Sequence, residues 1–232
     1  MREVLTPRWI SGQMLLLVAL ALASMHALCV TMYAARVRDS GELNYFYIPG
    51  NLTLAWLPLL FAMATHWAIG KRTPTRGALA VMCAVLWMLF LPNAPYVVTD
   101  LQHYEDSPLI AGWYDGLMLG AFVATGILLG LVSLYVMHGV LTRVAGSVAA
   151  WAAVLSAMPL CGFGIYIGRI RRWTSWDAVV SPQLLLEDIA RIATDPLLRS
   201  EAVAMTVGFG AFLAVSYFAL FTVAAMGSVR PR

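Results

Sequence analysis

WYDGLMLGAFVATGILLGLVSLYVM, residues 113–137, is the stretch that decides the fold class. Between Asp115 and His138 there is no Asp, Glu, Lys, Arg or His. About 20 apolar residues in a helix cross the hydrocarbon core of a bilayer. The run is continuously apolar rather than alternating, which fits a helix and not a barrel strand. Its one carboxylate, Asp115, sits at the start, where it also complements the helix dipole. Gly116-x-x-x-Gly120 and Gly126-x-x-x-Gly130 place small residues at the spacing that lets helices approach closely. We expect them to pack helices within one protomer.

Working outward, five further windows have the same character: residues 10–34, 50–69, 78–99, 147–168 and 201–226. The 232-residue chain is 61% hydrophobic and only 12% charged, against roughly 25% charged in soluble domains. Its mean hydropathy is +0.78. The expected fold is an all-α integral membrane protein, a bundle of about six transmembrane helices forming one membrane domain over residues 1–232. The first apolar run, Ile10 to about Tyr33, is longer than a signal-peptide core of about 7–15 residues and reads as a retained helix. Cys29, Cys83 and Cys161 lie in apolar segments without CxxC spacing and read as packed thiols. The net charge of +3 is divided among short loops, so no nucleic-acid footprint exists.

The third window is broken. Leu91-Pro92-Asn93-Ala94-Pro95-Tyr96 puts two prolines and an Asn before the span is complete. Each proline removes a backbone donor and crowds the carbonyl four residues back, and in lipid those carbonyls need other partners. Such breaks line cavities in transporters, and as plain kinks they are also satisfied by neighbouring helices. In the second window Asn51 is expected to cap the helix and Pro58 to kink it. Gly162, Gly164 and Gly168 read as close packing around Tyr166. Between the fifth and sixth windows, Ser181-Pro182 starts a short interfacial helix. Leu184, Leu185, Ile189 and Ile192 form its apolar face, and Gln183, Glu187, Asp188 and Arg191 its polar one.

The unusual polar residues gather at the ends of four segments that share one membrane face. Asp100, Asp115 and Asp177 are the candidate catalytic carboxylates. Asn51, Asn93, Tyr96, Arg169 and Arg172 are the candidate ligand-binding residues, with Arg171 close by. Ionisable residues at membrane depth are functional candidates by default, although salt bridges that merely tie helix ends together explain the same pattern. Arginines grip phosphate oxygens in a bidentate fork. Arginines and carboxylates together suit a phosphorylated lipid or polyprenyl carrier, with an Asp as general base or two holding Mg²⁺. The alternatives are a small secondary transporter or ion path, and a non-catalytic subunit of a membrane complex. No HExxH, GxSxG or Walker loop occurs, so no metal site is assigned and the cofactor is unknown. His66 and His138, at similar depth, are the only pair suited to a haem, and interfacial histidines are commoner. His103, three residues after Asp100, reads as an exposed loop residue that could relay protons.

Aromatics mark the same face as an interface: Tyr45, Tyr47, Tyr96, Trp113, Tyr114, Trp173 and Trp176 are expected in a headgroup belt. Six spans put both termini on the other side, with Arg2, Arg8, Lys71, Arg72, Arg76, Arg143, Arg230 and Arg232. The polar face carries Arg36, Arg38, Arg169, Arg171, Arg172, Arg191 and Arg199, together with every acid except Glu3. The short loop with Lys71, Arg72 and Arg76 is the strongest marker of the cytoplasmic side. The expected placement is a multi-pass protein of the bacterial cytoplasmic (inner) membrane with both termini cytoplasmic.

Four strings carry a family resemblance: Asn51 to Leu59 (NLTLAWLPL), Leu91 to Leu101 (LPNAPYVVTDL), Trp113-Tyr114-Asp115, and Gly164 to Arg169 (GIYIGR) continuing to Arg172-Trp173-Thr174-Ser175-Trp176-Asp177. They resemble the bacterial membrane family called domain of unknown function 1361, over roughly residues 48–178. Pro92-Asn93-Ala94-Pro95-Tyr96 is the most specific part. The resemblance implies a membrane protein and supplies no substrate.

Overall fold

A computed structural model describes residues 12–70, 73–104 and 107–226. Among these residues the chain is helical throughout, without a strand. The elements are α1 (Gly12–Ser40), α2 (Ile48–Leu54), α3 (Trp56–Ala68), α4 (Pro74–Phe90), α5 (Asn93–Tyr96), a 3-10 turn (Val97–His103), α6 (Gly112–Ala145), α7 (Ser147–Arg169), α8 (Asp177–Val180), α9 (Pro182–Thr194) and α10 (Pro196–Met226). Six helical units are long and apolar enough to cross a membrane: α1, α2 with α3, α4 through the 3-10 turn, α6, α7 and α10. The chain is therefore a six-helix membrane protein. Arg2, Glu3, Arg8, Lys71, Arg72, Arg230 and Arg232, which carry much of the topology argument, lie outside the described residues, as do Glu105 and Asp106.

α6 is the most buried span and the post against which α1, α3, α5 and α7 pack. The break in the third span is what lets α5 reach it. A Cβ on Gly126 would lie 2.7 Å from the Ala94 carbonyl oxygen, and one on Gly130 would lie 3.2 Å from the Ala94 Cβ. Gly116 and Gly120 face open space, so only the second small-residue pair packs helices within the protomer. The break is satisfied locally. Asn93 Nδ2 donates to the Phe90 carbonyl at 3.0 Å, and Ser175 Oγ donates to the Leu89 carbonyl at 3.4 Å. These are the partners that freed backbone groups require in a dry interior.

Three local expectations are corrected. Asn51 caps nothing: α2 starts three residues earlier, with Pro49 in its first turn, and Asn51 lies inside the helix. The interruption linked to Pro58 falls at Ala55, between α2 and α3, because the ring crowds the carbonyl of Leu54. α1 does not end near residue 34 but runs to Ser40. That extension carries Arg36 into the bundle. Its buried positions are Leu15, Leu22, Cys29 and Arg36, one every seven residues, the seam of a helix packed along its length.

The three cysteines are free and buried. Deep in the bundle, His138 Nδ1 and the Tyr217 hydroxyl are 2.7 Å apart, with the Trp151 ring 4.5 Å from the imidazole. Outside the spans, α9 turns Leu185, Ile189 and the buried Ile192 toward the protein. Leu184, expected on that face, is exposed instead.

Candidate functional site

The C-terminal ends of α1, α5 and α7 and the N-terminal ends of α2, α6 and α10 lie at one end of the bundle. Their polar side chains separate into three groups rather than one.

The first group surrounds a cavity of about 700 Å³ framed by α2, α5, the end of α7 and the α8–α9 segment. Arg169 is its hub. Nη1 reaches Asp100 Oδ1 at 3.4 Å and the Tyr96 hydroxyl at 3.5 Å, and Nη2 donates to the Thr99 carbonyl at 3.2 Å. Nη2 also lies against His103 Nε2. The guanidinium carbon stands 5.7 Å from the centre of the Tyr96 ring, a cation–π distance. The second Asp100 oxygen accepts from Asn51 Nδ2 at 2.9 Å, and Asp100 is only 1% exposed. Asn93 lines the cavity and donates to Ser175 Oγ at 3.2 Å. Arg172 lines it too, with φ of 61° just beyond the end of α7. A left-handed backbone at a non-glycine residue is strained. Arg172 has no ion pair or hydrogen bond among the described residues. Asn51, Asn93, Tyr96, Arg169 and Arg172 are thus brought together, and Asp100 lies directly behind them.

Asp115 belongs to a second group. It pairs with Arg36, Nε to Oδ1 at 2.8 Å and Nη2 to Oδ2 at 3.2 Å, both side chains being buried. Glu42 stands 3.7 Å from the same guanidinium, and the Tyr45 ring centre lies 4.9 Å from its carbon. Tyr45 is buried, with φ of 66°, so it is a stacking partner rather than part of a headgroup belt. Trp113 and Trp176, by contrast, are well exposed.

Asp177 belongs to a third group. It accepts from the Thr174 backbone N–H at 2.6 Å and from the Thr174 hydroxyl at 2.7 Å. These bonds, the backbone one foremost, hold its carboxyl below the usual carboxylate range. It ties the turn before α8 and pairs with no arginine among the described residues. Arg171 turns away from the cavity and grips Asp188 of α9, donating from Nε at 2.9 Å and from Nη2. Trp173 Nε1 donates to the same carboxylate at 2.9 Å. The Arg171 hydrogen bonds pull the Asp188 carboxyl below its ordinary value.

Sequence reasoning missed Arg36, Ser175 and the pairing of Asp188. Arg36 was counted as a loop charge, and the sevenfold spacing from Leu15 was the signal that could have placed it. His103 is exposed, as a loop residue would be, but it lies against Arg169. Nothing local in the sequence marks Ser175 or the pairing of Asp188.

Fold and site together define a multi-pass helical membrane protein whose cavity at one end of the bundle is lined by Arg169 and Arg172. Residues 51–216 match the family described as Protein of unknown function (DUF1361), and the chain belongs to that family. No curated protein and no solved structure matches it.

Proposed function

We propose that the cavity binds an anionic, phosphorylated headgroup of a lipid-linked ligand. One observation carries this reading: among the described residues, the cavity wall holds two arginines and no carboxylate. Arg169 is partly neutralised by Asp100, whereas Arg172 keeps its full charge for a ligand. Guanidinium groups bind phosphate oxygens in pairs, and a partly apolar wall strengthens each contact. Tyr96, Asn51 and Asn93 supply neutral donors around the same space. If the ligand is processed rather than held, Asp100 is the carboxylate nearest the cavity, and to act as general base it would have to exchange its bonds to Arg169 and Asn51 for the ligand.

The test is binding of phosphatidic acid to the purified protein in non-ionic detergent. Arg172→Gln should weaken it by about tenfold, the loss of one charge-assisted hydrogen bond. Equal affinity in wild type and Arg172→Gln would remove the basis of the proposal.

A second reading, a small transporter or ion path, draws on the buried Arg36–Asp115 pair, because charge inside a membrane bundle marks many ion routes. Activity only in sealed proteoliposomes would favour it. Turnover of a lipid phosphate in detergent would favour an enzyme. We further propose that the cavity opens on the outer side of a bacterial inner membrane, with both termini cytoplasmic.

A further inference from the structure

The geometry points to a cleft between α4 and α7 that holds the hydrocarbon chain of the ligand and opens directly into the bilayer. This rests on the headgroup reading above and adds the route by which the ligand arrives. α4 packs chiefly on α3, and α7 on α10 and α6, so the two helices that flank the cavity have little direct contact with each other. At the top of the gap Pro92 fills the place that a side chain on Gly164 would occupy.

Below that contact both walls continue as apolar stripes. On α4, Leu89 lines the cavity. One and two turns toward the opposite membrane face, on the same side of the helix, stand Val85 and Met82, 61% and 54% exposed. On α7, Ile167 and Phe163 line the cavity, and Leu160 follows on the same side, 55% exposed. Each stripe descends about 10 Å at 1.5 Å per residue. The cavity therefore has a cationic end and an apolar end at Leu89, Phe163 and Ile167, below which Val85, Met82 and Leu160 carry the apolar stripes along the exposed helix surfaces. A phosphate on a hydrocarbon chain matches both ends at once. A water-soluble phosphate would leave the lower walls uncovered except by membrane lipid. The occupant is accordingly a membrane lipid with a phosphate head, reached from within the bilayer.

The experiment uses the full chain in phosphatidylcholine nanodiscs containing a small fraction of phosphatidic acid with a photoreactive diazirine in one acyl chain. Mass spectrometry then maps the label. The expected result is label concentrated on peptides carrying residues 82–89 and 160–167, relative to the equally lipid-exposed Val207 and Val215 of α10. It should fall about tenfold in Arg172→Gln, where the head is no longer held. Leu160→Trp, a change at a lipid-exposed position, should fill the cleft and reduce labelling. It should leave binding of short-chain, water-soluble dihexanoyl phosphatidic acid intact. Even labelling of all lipid-facing helices, with short-chain binding still dependent on Arg172, would overturn the cleft and leave the headgroup site standing. Absence of any Arg172-dependent binding, long-chain or short-chain, would overturn both.

Discussion

Arg36 and Asp115 meet across 79 positions of sequence, Nε to Oδ1 at 2.8 Å, with both side chains shut away from solvent. The pair clamps the end of α1 to the start of α6. A buried ion pair contributes little net stability, but breaking one half leaves an uncompensated charge. Asp115→Asn or Arg36→Gln should therefore destabilise the protein by about 3–5 kcal/mol. Arg36→Met with Asp115→Leu should recover most of that loss. Thermal unfolding in detergent measures all three variants, and single mutants as stable as wild type would show that the pair is not a structural clamp.

Arg172 and Arg169 should separate stability from binding. Arg172 is exposed and unpaired among the described residues, so Arg172→Gln should change stability by less than about 0.5 kcal/mol. Arg169 holds Asp100, Thr99 and Tyr96, so Arg169→Gln should cost about 1–3 kcal/mol as well as affinity. Melting temperatures and phosphatidic acid titrations of the two variants, taken together, check this.

α9 should loosen in acid. The carboxyl of Asp188 is held below its ordinary value by Arg171, so the ionised form is favoured in the folded state. Its contribution is complete above the ordinary carboxylate value of about 4 and is lost as pH falls through the depressed one. Hydrogen exchange of residues 182–194, taken relative to the intrinsic rate at each pH, should be unchanged from pH 8 to pH 5 and speed up below about pH 4. Asp188→Asn should reproduce that increase at neutral pH, by roughly fivefold for a loss of about 1 kcal/mol. Equal protection in Asp188→Asn and wild type would mean that Ile192 and its apolar neighbours hold α9 alone.

The glycines of α6 should respond oppositely to alanine. Gly126→Ala drives a Cβ against the Ala94 carbonyl and Val97, and should cost about 1–3 kcal/mol. Gly120→Ala meets open space and should be neutral or stabilising by up to about 1 kcal/mol through helix propensity. Thermal unfolding decides, and equal effects would refute the α5–α6 contact.

Orientation is tested with single cysteines in a cysteine-free background. Leu109→Cys lies at the cavity face and Thr75→Cys at the other, both exposed. A membrane-impermeant thiol reagent on whole cells should label only Leu109→Cys. Labelling of Thr75→Cys alone would place the cavity in the cytoplasm.

Residues 113–137 and the five other apolar windows determined the class by themselves, because a bilayer imposes length and hydropathy on every crossing segment and leaves a signal in local composition. The break at Pro92 to Pro95 was equally legible, since proline acts through its own covalent geometry. The choice of polar residues at one face followed from the parity of crossings. The pairing among them did not. Asp115 was grouped with Arg169 and Arg172, and its partner Arg36 emerged only because α1 runs to Ser40. Nor did the sequence show that Asp177 hydrogen-bonds Thr174 rather than an arginine. Only the tertiary structure decided which arginine stayed free, because an ion pair depends on which helix ends become neighbours, and the sequence records only that they share a side.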